Sequence, residues 1–300
     1  MMGSMPSRYA EHPILLDSGM VSCEIKFSAN ICFCIMIKED TMELTYQDRE
    51  DLITAKNILE NPGFAAKVMN YIGIPLEKGI AMLPDSWSYA VTEVTRQSLE
   101  KALFVSLSTL DDRAKSKPRD LFHKMVVAAT GAAGGAFGLP GLAIELPVST
   151  CVMLRSIGDI ARSHGEMLRT SEAQLACMVV FALGGRSASD DGSESAYFVI
   201  RSALAKSVSE AATFVSERGI VQEGMPILLR LINQLAVRFE VNVTEKLAAQ
   251  AVPVLGAVGG AAINTMFIDH FQDMAHGHFI IRRLERKYSP EFIRGEYDKC

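Results

Sequence analysis

From Met42 onward apolar residues recur at helical spacing, and no stretch alternates apolar and polar residues with a period of two. The pattern predicts a helix over 45–60, opened by the cap residues between Thr45 and Asp48 and stopped by Asn61-Pro62-Gly63. A short helix over 64–71 follows, and Gly73, Pro75, Gly79 and Pro84 then punctuate the chain. Asp85 can cap a long helix over 86–110 whose apolar face holds Val91, Val94, Leu99, Ala102, Leu103 and Val105. The polar run 111–118 reads as a solvated linker. Beyond it, Glu145 is the only charge between Lys124 and Arg155. Gly131, Gly134, Gly135, Gly138 and Gly141 crowd this region, Pro140 and Pro147 are expected to break it, and a helix carrying Arg155, Asp159 and Arg162 follows.

Further helices are expected over 171–183, 196–215, 227–251 and 261–287, and the polar segment 184–195 is the best interior break. The run 253–260 repeats the Gly-rich apolar style, so the fold is expected to be all-α with two Gly-rich apolar helical hairpins. An echo supports duplication of such a unit: Asp159, Ala161 and His164 share the spacing D-x-A-x-x-H with Asp273, Ala275 and His278.

Composition narrows the class. With 300 residues, 49% of them hydrophobic, the chain can bury a sizeable core, which excludes a disordered polymer or a disulfide-stapled miniprotein. Thirty Lys and Arg against 35 Asp and Glu leave a net charge of −5, which argues against a nucleic-acid partner. None of the 6 cysteines forms a CxxC pair, and Cys151 and Cys177 sit in apolar runs, so reduced thiols and a cytoplasmic location are expected. The apolar run 29–37 lacks the short positive flank and small-residue cleavage site of a signal peptide. We therefore expect one helical domain over 42–300, with 1–41 a poorly ordered extension or an over-long translation start.

The Gly-rich run 131–141 with Leu146-Pro147, the helix of Arg155, Asp159 and Ala161, the second run 252–260, Asn264 and the late Asp273-x-Ala275 together resemble the EcsC family. The resemblance spans roughly 46–284 and rests on the order of the two Gly-rich segments rather than on one motif. That family takes its name from a protein encoded beside the subunits of an ABC transporter. The resemblance thus implies an accessory role near a transporter and supplies no active site.

Several residues carry candidate chemistry. Glu145 alone in an apolar stretch needs a partner or a proton, and Arg155 is the nearest cation in sequence. Glu145, Arg155, Asp159, His164, Asn264, Asp273 and His278 are therefore candidates for one buried polar network. Asp269, Asp273 and His276 share one helical stripe and form a candidate metal set, although other helices would have to add carboxylates. The uncharged runs 125–144 and 247–268 are long enough to cross a bilayer of roughly 30 Å. They are rich in Ala and Gly, however, and carry prolines, which fits buried hairpins. The basic end Arg282, Arg283, Arg286 and Lys287 reads as a charged helix terminus able to touch anionic lipid. No P-loop, nucleophile elbow or H-E-x-x-H motif is present, and no cofactor is expected. The expected function is a non-enzymatic accessory protein with peripheral membrane contact and a protein partner such as a transporter subunit. Two alternatives stand beside it: a metal-dependent or acid–base enzyme using Glu145, Asp159, Asp273 and His276, and a membrane-inserting helical protein.

Overall fold

The computed structural model describes residues 43–60, 63–73, 75–83, 87–109, 138–185, 196–218, 225–251 and 256–300. These residues form helices α1 (Tyr46–Glu60), α2 (Phe64–Ile72), α3 (Leu76–Ile80), α4 (Trp87–Thr109), α5 (Gly138–Ser163), α6 (Ser171–Val179), α7 (Ala196–Arg218), α8 (Pro226–Gln250), α9 (Gly256–Lys287) and α10 (Pro290–Lys299). No strand occurs among them, and Tyr46–Cys300 make up one compact unit. Local chemistry sets several boundaries. The Thr170 hydroxyl accepts from the Ala173 amide at the start of α6, and Ser289 accepts from Phe292 at the start of α10. Pro226 opens α8, where its missing N–H removes no helical bond.

The 32 residues of α9 touch α1, α2, α5, α8 and α10. Its Phe267 and Phe271 rings meet edge-on at 5.1 Å and pack with Phe64 from α2, Phe239 from α8 and Phe181 from the short 3-10 turn Val180–Ala182. All five side chains are buried. Each such ring contributes apolar area and offset-ring contact, which centres the core on α9.

Several sequence expectations need correcting. Pro140 and Pro147 do not break the chain; both lie within α5. Pro140 falls in the first turn, where its N–H would be unused. Pro147 would have donated to the carbonyl of Ala143, an exposed residue whose oxygen water can serve. The helix expected over 171–183 tightens into the 3-10 turn after Val179 and ends at Leu183 in extended conformation. The uncharged run 247–268 is divided between α8 and α9. Helices α3 and α10 were not expected. The N-terminal 1–41, the linker 111–118, residues 131–137 of the first Gly-rich run and 252–255 of the second lie outside the described residues. What is described of those runs is a pair of helix starts, Gly138 for α5 and Gly256 for α9.

Gly184 ties the turn after α6 to the core. Its φ is +73°, and a Cβ there would lie 2.4 Å from the buried His270 ring. Gly184→Ala should therefore cost roughly 1–3 kcal/mol from overpacking, with backbone strain added. Gly295 in α10 has open space around it, so Gly295→Ala is the control and should leave stability equal or slightly higher. Urea unfolding of the two variants would check this; equal midpoints would contradict it.

Candidate functional site

The isolated Glu145 of α5 is met by Lys246 of α8. Lys246 Nζ donates to both carboxylate oxygens, at 2.9 and 2.8 Å. The two side chains are 0% and 5% exposed. From α9, Asn264 Nδ2 donates to the same carboxylate at 3.2 Å, and Gln250 donates to Asn264 Oδ1 at 3.4 Å. The Lys246 ammonium also stands 4.9 Å from the centre of the Phe267 ring. Three helices thus converge on one sealed charge pair. Removed from water, each ion depends on the other and on the amide. The expectation of Arg155 as partner fails on geometry: ten residues along a helix is a rise of about 15 Å. Arg155 is exposed instead.

The other candidates do not join this centre. Asp159 pairs with Arg162 on its own helix. Asp273 pairs with Lys67 of α2 at 2.7 Å, and its side chain is 48% exposed. His164, just beyond the end of α5, sets its Nε2 3.4 Å from His276 Nδ1. Burial, then His276 and Arg283, holds the His164 imidazole down at about 4. The stripe of Asp269, Asp273 and His276 is not gathered into a metal centre, and no group of three His, Cys, Asp or Glu able to hold a metal occurs among the described residues. The D-x-A-x-x-H echo places its two histidines differently: His164 follows a helix end, whereas His278 is buried within α9.

His278 belongs to a second centre. Its Nδ1 lies 3.0 Å from the Tyr197 hydroxyl of α7. Arg201 donates to that hydroxyl at 3.1 Å and grips Glu285 through two bonds of 2.7 and 2.9 Å. Burial, followed by Arg201 and Arg282, pushes the His278 imidazole well below its ordinary range, so it is neutral. Burial likewise pushes the Tyr197 phenol up and keeps it protonated. The basic end of α9 is tied down: Arg282 and Arg286 pair with Glu166, Arg283 with Asp51 and Lys287 with Asp48. Those cations are largely neutralised before any lipid is met.

The outward face of α5 is different. Ile144 and Val148, one turn apart, are 75% and 46% exposed. Cys151 and Arg155 continue the same stripe, and Lys101 of α4 lies within electrostatic reach of Cys151 along with Arg155. Among the described residues neither Lys101 nor Arg155 has an ion-pair partner.

Sequence reasoning missed Lys246, Tyr197, Arg201 and Glu285. The signal for Lys246 was there: it falls on the apolar face of α8 with Leu235, Phe239, Asn242 and Val243. Nothing comparable marks Tyr197.

Fold and centre together define an all-α protein in which a long helix receives a sealed acid–base pair from two neighbours. Residues 52–284 match the profile of the EcsC protein family, and the chain belongs to that family. No curated protein and no solved structure matches it significantly.

Proposed function

We propose that the protein is a non-enzymatic accessory protein that binds peripherally to an anionic membrane surface through the outer face of α5. The exposed pair Ile144 and Val148 carries this reading, with Arg155 and Lys101 flanking it. Burying a Val or Ile side chain contributes about 1.5–3 kcal/mol, and a cation near an anionic leaflet about 1 kcal/mol. Two of each support weak, reversible, salt-sensitive attachment. No helix among the described residues is long and apolar enough to cross a membrane, and the reading needs none. The inner leaflet is the anionic surface we have in mind. The partner that family membership suggests, a transporter subunit, would be met in that plane.

Co-sedimentation with vesicles tests the proposal. The full chain should pellet with vesicles containing phosphatidylserine, much less with pure phosphatidylcholine, and should be released by high salt. Ile144→Asp/Val148→Asp should abolish pelleting, and Arg155→Glu should weaken it. Absence of pelleting with any vesicle, or pelleting indifferent to these substitutions, would refute this reading.

A further inference from the structure

The groups sealed between α5, α8 and α9 are an amine, a carboxylate and a carboxamide. Lys246 Nζ and Asn264 Nδ2 both donate to Oε1 of Glu145, at 2.9 and 3.2 Å. One carboxylate oxygen therefore touches both a nucleophilic nitrogen and the leaving nitrogen of an amide. Lys246 Nζ also lies against α9 itself, 4.9 Å from the ring centre of Phe267. Phe267 is three residues on from Asn264, on the same side of that helix.

The amide is held at its other end as well. Gln250 Nε2 donates to Asn264 Oδ1 at 3.4 Å. A donor thus already faces the oxygen on which negative charge would gather if the amide carbon were attacked. Glu145, Lys246 and Asn264 are all buried, so bulk water does not compete for that carbon. An ion pair held away from water is costly. Passing one proton from Nζ to Glu145 removes both charges and frees the amine lone pair.

We propose that this centre closes on itself once, Lys246 Nζ attacking Asn264 Cγ to form an isopeptide bond between α8 and α9. Glu145 takes a proton from Nζ, and the Nζ–Cγ bond forms as the carbonyl electrons move to Oδ1 beside Gln250. Glu145 then gives its proton to Nδ2 and takes a second from Nζ. The carbonyl re-forms, the Cγ–Nδ2 bond breaks and ammonia leaves. The products are a secondary amide and a neutral Glu145 carboxyl, so protons and charge balance and no oxidant or cofactor is needed. The described geometry is that of the reactants. Substituting either Glu145 or Lys246 leaves the bond unmade, so the remaining partner keeps its charge. The reaction is a single event within one chain and does not depend on the α5 face.

The test is the mass of the full chain, unfolded in urea with reductant, returned to native buffer and sampled with time, both intact and as proteolytic peptides. The wild type should become lighter by one ammonia, about 17 Da, and yield a branched peptide joining Lys246 to Asn264. Chain kept in urea should retain its mass, because unfolding parts the groups. Lys246→Arg and Asn264→Ala should keep the masses of their sequences. Glu145→Gln, which keeps the shape and removes the acid–base group, should slow joining roughly 100-fold or more. If that variant does not fold, Gln250→Leu at the edge of the centre carries the test and should slow joining about tenfold. Refolded wild type that keeps its full mass and gives no branched peptide would overturn the proposal without recourse to any variant. Joining that proceeds equally fast in urea, or in folded Glu145→Gln, would overturn it too.

Discussion

Glu145→Ala and Lys246→Ala should each destabilise the protein by about 3–5 kcal/mol, because each leaves a partner charge stranded in the interior. The pair is bidentate, at 2.9 and 2.8 Å, and both side chains are essentially out of solvent. The physical point lies in the double variant. Glu145→Leu/Lys246→Met removes both charges and substitutes apolar volume, a change that is often neutral or favourable. Here it also takes an acceptor from Asn264, a loss of about 1 kcal/mol. The double variant should therefore be more stable than either single variant, although two side chains have changed. Urea unfolding of the wild type, Glu145→Leu, Lys246→Met and the double variant gives the coupling directly. Additive losses would mean that the two groups do not depend on each other. A Glu145→Ala protein of unchanged stability would show that the carboxylate is not a structural anchor at all.

The contrast between what could and could not be read from sequence is sharp at this centre. Glu145 stood out because a lone charge in an apolar run has few acceptable explanations. Its partner did not, because Lys246 is 101 residues away and reaches it only once α5 and α8 have packed. Helix identity was legible where apolar positions recur over several turns, as in α4, α8 and α9. It was not in α10, where Phe292, Ile293 and Tyr297 are the only large apolar residues. There the burial of Ile293 and Tyr297 against the rest of the fold fixes the helix. The prolines of α5 misled for a related reason. A local rule says that proline ends a helix, but packing of the opposite face, with Leu146, Thr150, Met153 and Ile157 buried, holds the helix through Pro147. Ile144 and Val148 look like core residues in the sequence and are exposed, which is why they became the basis of a functional reading.

Acidification should remove stability well above the pH at which carboxylates protonate. His270 is buried among Phe64, Phe271 and Gly184, and burial, with a smaller push from Lys67, holds its imidazole down at about 3. His278 is displaced in the same direction, chiefly by burial. An unfolded chain takes up these protons near pH 6.5. The sign follows: above about pH 6.5 both states are neutral and the groups have no effect, whereas below it the unfolded state binds protons that the folded state refuses. Each histidine then contributes a loss approaching about 1.4 kcal/mol per pH unit. For His270 alone this amounts to about 2.5 kcal/mol between pH 7 and 4.5, continuing until its folded value is reached. Stability from urea unfolding should be flat between pH 8 and 7 and should fall steeply from 6.5 to 4.5. His270→Leu, which also removes a buried Nε2 that has no hydrogen-bond partner, should lessen that slope by about one proton's worth. His164 is partly exposed and should contribute less. If wild-type stability were instead level down to pH 4.5, the buried imidazoles would have to accept protons inside the fold. That would require an anion beside them.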